Sequence, residues 1–141
     1  MKRIFITHCS REKNPVLEAS GAAATPEELY TSSALQAFIR FCKARGYDWA
    51  ILSDRYGVVF ADEPINWYSK PPDTVTGEEF GELLRSFTTR LAGYDEILFQ
   101  HRPGETHAVF KRIVEKAVEF GMNVIEFPVE DMDEDDQTPH T

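Results

Sequence analysis

Cysteine is scarce in this chain. Only Cys9 and Cys42 occur among 141 residues, which argues against a disulfide framework and a cysteine-built zinc centre. Long apolar runs are missing too. The longest are strand-length, so no segment reads as a transmembrane helix. Met1-Lys2-Arg3 leads into Ile4-Phe5-Ile6, but His8 and Arg11 follow too soon for a signal-peptide core. The chain is therefore expected in the cytoplasm, with no membrane partner. There is no excess of basic residues: the formal net charge is -9. That argues against the broad positive field that drives non-specific binding to duplex nucleic acid.

The acidity is uneven. From Val129 onward there are six acids (Glu130, Asp131, Asp133, Glu134, Asp135 and Asp136) and no Lys or Arg, leaving 18 acids against 15 bases elsewhere. This end lacks apolar periodicity and reads as a disordered acidic tail over 129–141, a candidate contact for a protein partner. Residues 1–128 read as one α/β domain, without an internal repeat.

Within that domain, an apolar run stops abruptly at a polar cluster three times. Ile4-Phe5-Ile6 meets Thr7-His8-Cys9-Ser10 and then Lys13. Trp49-Ala50-Ile51-Leu52 meets Ser53-Asp54-Arg55-Tyr56-Gly57. Ile97-Leu98-Phe99 meets Gln100-His101-Arg102-Pro103-Gly104. Asn123 to Phe127 is a fourth strand, closed by Pro128.

Helical patterns separate the strands. Thr25-Pro26-Glu27-Glu28 and Thr76-Gly77-Glu78-Glu79 are helix starts with capping-box spacing. Leu35, Phe38, Ile39 and Cys42 form one apolar stripe; Phe80, Leu83, Leu84, Phe87 and Leu91 form another. Val109, Phe110, Ile113, Val114, Ala117 and Val118 form a third. This alternation predicts a three-layer α/β/α sandwich around a four-stranded, mainly parallel sheet. Topology rules suggest the order 2-1-3-4, with a crevice where the order reverses.

The polar clusters would then meet at the carboxyl edge of the sheet. Lys13, Ser10, Cys9 and His101 are the catalytic candidates: an amine, a hydroxyl, a thiol and an imidazole. His8, Ser53, Asp54, Arg55, Tyr56, Gly57, Arg102 and His107 are candidate ligand contacts. Gly57 suggests a turn needing positive φ or close backbone approach. The cluster around Arg102 opens a helix, where free N–H groups favour an anion. A long irregular connection, 62–76, carries Trp67 and Tyr68, which suit stacking on a planar base.

Neither the phosphatase cysteine-arginine spacing nor a glycine-rich phosphate loop is present. The spacing of His101 and His107 fits no standard helical metal pair, so no metal and no cofactor is expected.

The order Cys9-Ser10-x-x-Lys13, Leu29-Tyr30-x-Ser32, Ile51-Leu52-Ser53-x-x-Tyr56-Gly57 resembles a group of small uncharacterised microbial domains. More distantly, the first element is similar to the core domain of archaeosine synthase, which modifies a 7-deazaguanine base in transfer RNA. The third element, with Ile65 to Tyr68 after it, is similar to the peroxide-stress DNA-binding family. The resemblance implies functional roles for Lys13 and Ser10. Asn14 departs from the archaeosine synthase pattern, which continues with proline. The nucleic-acid-binding relatives are basic and this chain is acidic. The expected partner is therefore a small molecule with a planar base or an anionic group, not a polynucleotide. The expected activity is a nucleobase-, nucleoside- or nucleotide-directed enzyme, with a non-catalytic binding or protein-interaction module as the alternative.

Overall fold

A computed structural model describes residues 1–128. The acidic segment expected to be a disordered tail lies outside the described residues. The elements in order are β1 (Arg3–His8), α1 (Pro15–Ser20), α2 (Pro26–Leu29), α3 (Ser33–Arg45), β2 (Trp49–Ser53) and β3 (Gly57–Phe60). A single 3₁₀ turn (Pro72–Thr74) then precedes α4 (Gly77–Arg90), β4 (Glu96–His101), α5 (Ala108–Glu119) and β5 (Val124–Pro128).

The fold is α/β with a five-stranded mixed sheet, ordered β3-β2-β1-β4-β5. The pairs β1–β2, β1–β4 and β4–β5 are parallel, and β2–β3 is antiparallel. The expectation of four strands in the order 2-1-3-4 is corrected in both count and order: β3 is an additional edge strand. Its existence depends on a tight hairpin. Ser53 pairs with Gly57 across a three-residue loop, and Gly57 has φ 76, the positive-φ position that such loops use to turn the chain back. The Ser53 hydroxyl fixes the turn by accepting the Arg55 and Tyr56 N–H groups at 3.0 Å each. Gly57 is also closely packed. A Cβ there would lie 2.5 Å from Ser86 Oγ and 2.7 Å from Ser86 Cβ.

Both faces of the central strands are covered. Residues 4–8 of β1 and all five residues of β2 are buried, although neighbouring side chains point to opposite faces. The α3 stripe of Leu35, Phe38, Ile39 and Cys42 is wholly buried. In α4, Leu83 and Phe87 are buried, and Thr76 and Glu79 complete the expected capping box. In α5, Val109, Phe110, Ile113 and Ala117 are buried, but Val118 is exposed, because it falls off the inward face of the helix. The expected Thr25 start gives only the one-turn helix α2, without a side-chain cap bond. Ser32 then caps α3. No helix among the described residues is long and apolar enough to cross a membrane.

Strand order reverses beside β1: β2 lies on one side and β4 on the other. The segments leaving β1 and β4 therefore flank a crevice at the carboxyl edge of the sheet.

Candidate functional site

The loop after β1 is held in place by backbone bonds. Cys9 N–H donates to Leu52 O (2.9 Å), Asn14 N–H to Leu29 O (2.8 Å) and Thr31 N–H to Glu12 O (3.1 Å). Lys13 forms an isolated bridge with Tyr30. Thus the Cys9-to-Lys13 segment meets the Leu29-to-Ser32 segment directly.

Tyr68 joins these parts. Its hydroxyl lies 2.5 Å from the Tyr30 hydroxyl and accepts from Ser53 Oγ at 3.0 Å. Lys13 Nζ sits 4.3 Å from the Tyr68 ring centroid, within cation–π range. The Tyr56 ring meets Tyr68 edge-on at 5.4 Å. Ring and hydroxyl of Tyr68 are thus engaged within the protein, a different setting from the free stacking platform expected of it.

A cleft of about 380 Å³ opens over this group, lined by His8, Cys9, Ser10, Lys13, Asp54, Trp67, Tyr68, Arg102 and His107, among others. Nine of the residues expected at a site from sequence are thus gathered around one space. An adjoining cleft of about 500 Å³ shares Asp54 and Tyr68 and is bordered by Arg55, Tyr56 and Gly57. Ser53 is fully buried beneath the turn. His101 lines neither cleft, and its Nε2 is buried without a hydrogen-bond partner.

Burial sets the protonation states. It pushes the Cys9 thiol up to about 12, with the Asp54 carboxylate adding to the effect. Cys9 is therefore a thiol at neutral pH, not a ready nucleophile. Its sulfur accepts the Asp54 N–H at 3.4 Å. Burial also raises Asp54, whose Oδ1 has no hydrogen-bond partner. Burial lowers Lys13, partly opposed by the negative ends of Cys9 and Asp54. The Lys13 ammonium donates one weak bond, to Arg11 O at 3.4 Å. No carboxylate among the described residues lies within ion-pair distance of it. Ser10 is half-buried, and its hydroxyl accepts from Glu12 N–H at 3.3 Å.

The opposite wall is an arginine network. Arg102 Nη1 donates to Thr7 Oγ1 at 2.8 Å, and Nη2 approaches His8 Nδ1 at 3.2 Å. Thr106 Oγ1 lies 2.9 Å from His8 Nε2. The His8 ring stacks on Phe110 at 5.0 Å. Burial, then the Arg102 charge, lower His8 to about 3, so the imidazole is neutral. His107 caps α5 through Nδ1, which accepts the Val109 N–H at 3.0 Å. Among the described residues, no group of three His, Cys, Asp or Glu side chains is placed to hold a metal ion.

Two residues of the site were not singled out as site residues from sequence. Tyr30 stands in the Leu29-Tyr30-x-Ser32 segment, and that motif was its only signal. Lys70 lines both clefts and is fixed by Glu79 at 3.2 Å. Nothing in its local sequence marks it. No protein-family model, curated protein or solved structure matches this chain.

Proposed function

We propose that this chain is a cytoplasmic, three-layer α/β enzyme acting on a nucleobase-, nucleoside- or nucleotide-type small molecule, with Lys13 as the working amine. The observation that carries this reading is the setting of Lys13. It is a half-buried amine at a strand end, without an acidic partner in ion-pair contact among the described residues, against one aromatic ring and beside a second in the same cleft. Lysines are normally solvated or paired, and burial of an unpaired one favours the neutral, nucleophilic form. The cleft volume of about 380 Å³ falls within the range of roughly 300–1,000 Å³ usual for small-ligand sites. Trp67, half-buried on the cleft wall, offers a face to a planar base. The similarity of Cys9-Ser10-x-x-Lys13 to the archaeosine synthase element points to the same lysine.

In this reading Lys13 adds to an electrophilic double-bonded carbon of the ligand, whose π pair moves onto the neighbouring heteroatom, or stabilises charge forming on that atom. Asp54, which lines the same cleft, is better placed than His101 to exchange a proton there. Ser10 orients the ligand. Cys9 is a packing and hydrogen-bonding group.

A thermal-shift screen against bases, nucleosides, nucleotides and 7-deazaguanines tests this. A ligand of the native state raises the midpoint in a concentration-dependent way. The shift is expected in the parent protein and not in Lys13→Met, a variant that keeps much of the apolar stem. If no member of the panel shifts the parent, the reading fails. Two observations favour the non-catalytic alternative: burial holds Cys9 as a thiol, and His101 lines neither cleft. Recovery of the bound compound chemically unchanged after prolonged incubation would select that alternative.

A further inference from the structure

Arg102 is a buried charge without a counter-ion among the described residues. It is 5% exposed. Nη1 donates to Thr7 Oγ1 at 2.8 Å and Gln100 Oε1 at 3.5 Å. Nη2 reaches His8 Nδ1 at 3.2 Å and His8 O at 3.4 Å. Nε has no hydrogen-bond partner among the described residues. Every one of these contacts is neutral. Among the described residues, no carboxylate lies within ion-pair distance of the guanidinium. The acid that acts on it electrostatically is Glu105, an exposed residue of the following turn.

A buried guanidinium is costly unless an anion compensates it, and its planar fork suits carboxylate and phosphate oxygens. The network around Arg102 orients the group but leaves its charge unbalanced. The surroundings share this bias. Arg11, Lys13, Lys70 and Arg102 line the cleft against Asp54 and Glu105. Lys70 is already paired with Glu79 at 3.2 Å, so one positive charge remains over, in a chain whose total is -9. The start of α5, a helix of 12 residues, faces the same wall through its cap His107 and adds the positive end of its dipole.

We infer that the ligand of this cleft carries a phosphate monoester seated at Arg102, which makes it a nucleotide and not a free base or nucleoside. A phosphate monoester carries about −1.5 to −2 charges near neutral pH, the sign that Arg102 lacks beside it. This inference rests on the nucleobase reading of the cleft and adds the phosphate to it.

Isothermal titration of the full chain with a panel of nucleosides, their 5′-monophosphates and inorganic phosphate separates the two claims. At about 50 mM salt, one monophosphate should bind roughly tenfold or more tightly than its nucleoside, the worth of one charge-assisted hydrogen bond. That advantage should shrink at about 300 mM salt, where charges are more strongly screened. Arg102→Gln should bring the nucleotide down to the affinity of the nucleoside and leave the nucleoside unchanged. If Arg102→Gln does not fold, Arg11→Gln, at an exposed cation of the same cleft, should lower nucleotide affinity several-fold and leave nucleoside affinity alone.

Equal, salt-insensitive binding of nucleoside and monophosphate would overturn the phosphate seat and leave the nucleobase reading standing. Binding of inorganic phosphate, lost in Arg102→Gln and unimproved by any base, would uphold the seat and remove the nucleobase. No binding of any member would overturn both.

Discussion

His8 should make this protein acid-labile by an amount that can be worked out. The unfolded chain takes up a proton on this imidazole near pH 6.5, whereas the folded protein holds it neutral to about 3. Between those values the unfolded state binds more protons, so stability falls as pH falls. The contribution is fully present above about 6.5 and is lost progressively down to about 3. Moving from pH 7 to pH 4.5 should cost about 2.5 kcal/mol from this group alone. Because about pH 4.5 lies well above the folded value, the size is set by the unfolded imidazole. Asp54, raised by burial, acts in the opposite sense: its proton is held more firmly in the folded state. That effect is common to parent and variant and cancels between them. The assay is urea unfolding by circular dichroism at about pH 7 and 4.5, on the parent and on His8→Gln, with matched slopes required. A glutamine side chain at this position would keep a polar group beside Arg102 and Thr106 but would not titrate. The parent should lose about 2.5 kcal/mol more than the variant across that interval. Equal losses in both would refute the claim that His8 is held neutral by burial beside Arg102.

Two further outcomes follow from the geometry. Gly57→Ala should destabilise by about 2–5 kcal/mol, from the left-handed backbone and the forced contact with Ser86. Gly46→Ala has a similar φ of 68 with nothing within 4 Å and should cost only about 1–2 kcal/mol; equal losses by denaturant unfolding would dismiss the Ser86 contact. Cys9 and Cys42, both pushed to about 12 chiefly by burial, should resist iodoacetamide at neutral pH until denaturant is added. Rapid alkylation of Cys9 in the native protein, read by mass spectrometry, would show a reactive thiolate there.

Much of the architecture was legible from local pattern. Period-two and period-3.6 apolar spacing located the four parallel strands and the main helices, because those elements bury one stripe or a continuous run. The strand β3 was not legible. Gly57-Val58-Val59-Phe60 is too short to show a period, and it becomes a strand only when Ser53 and Gly57 turn the chain back onto β2. The one-turn helix α2 shows the reverse error. Thr25-Pro26-Glu27-Glu28 has a good start signal, but the segment is drawn off at Tyr30 to pair with Lys13. At the site, the abrupt change from apolar to polar marked six of the residues that line one cleft: His8, Cys9, Ser10, Lys13, Asp54 and Arg102. That His101 would lie outside the cleft was not visible. Both are histidines near the end of β4, yet only His107 lines the cleft.

What the sequence determined alone is the composition of each strand end: which thiol, amine, hydroxyls and cations stand there, and that neighbouring parallel strands would bring them together. Only the tertiary structure decided their states. Burial made Cys9 a thiol and His8 a neutral ring, turned the Tyr68 hydroxyl inward to Tyr30 and Ser53, and left Arg102 without a counter-ion among the described residues. These outcomes depend on desolvation and on partners 15 to 95 residues away, and neither is a property of a local segment.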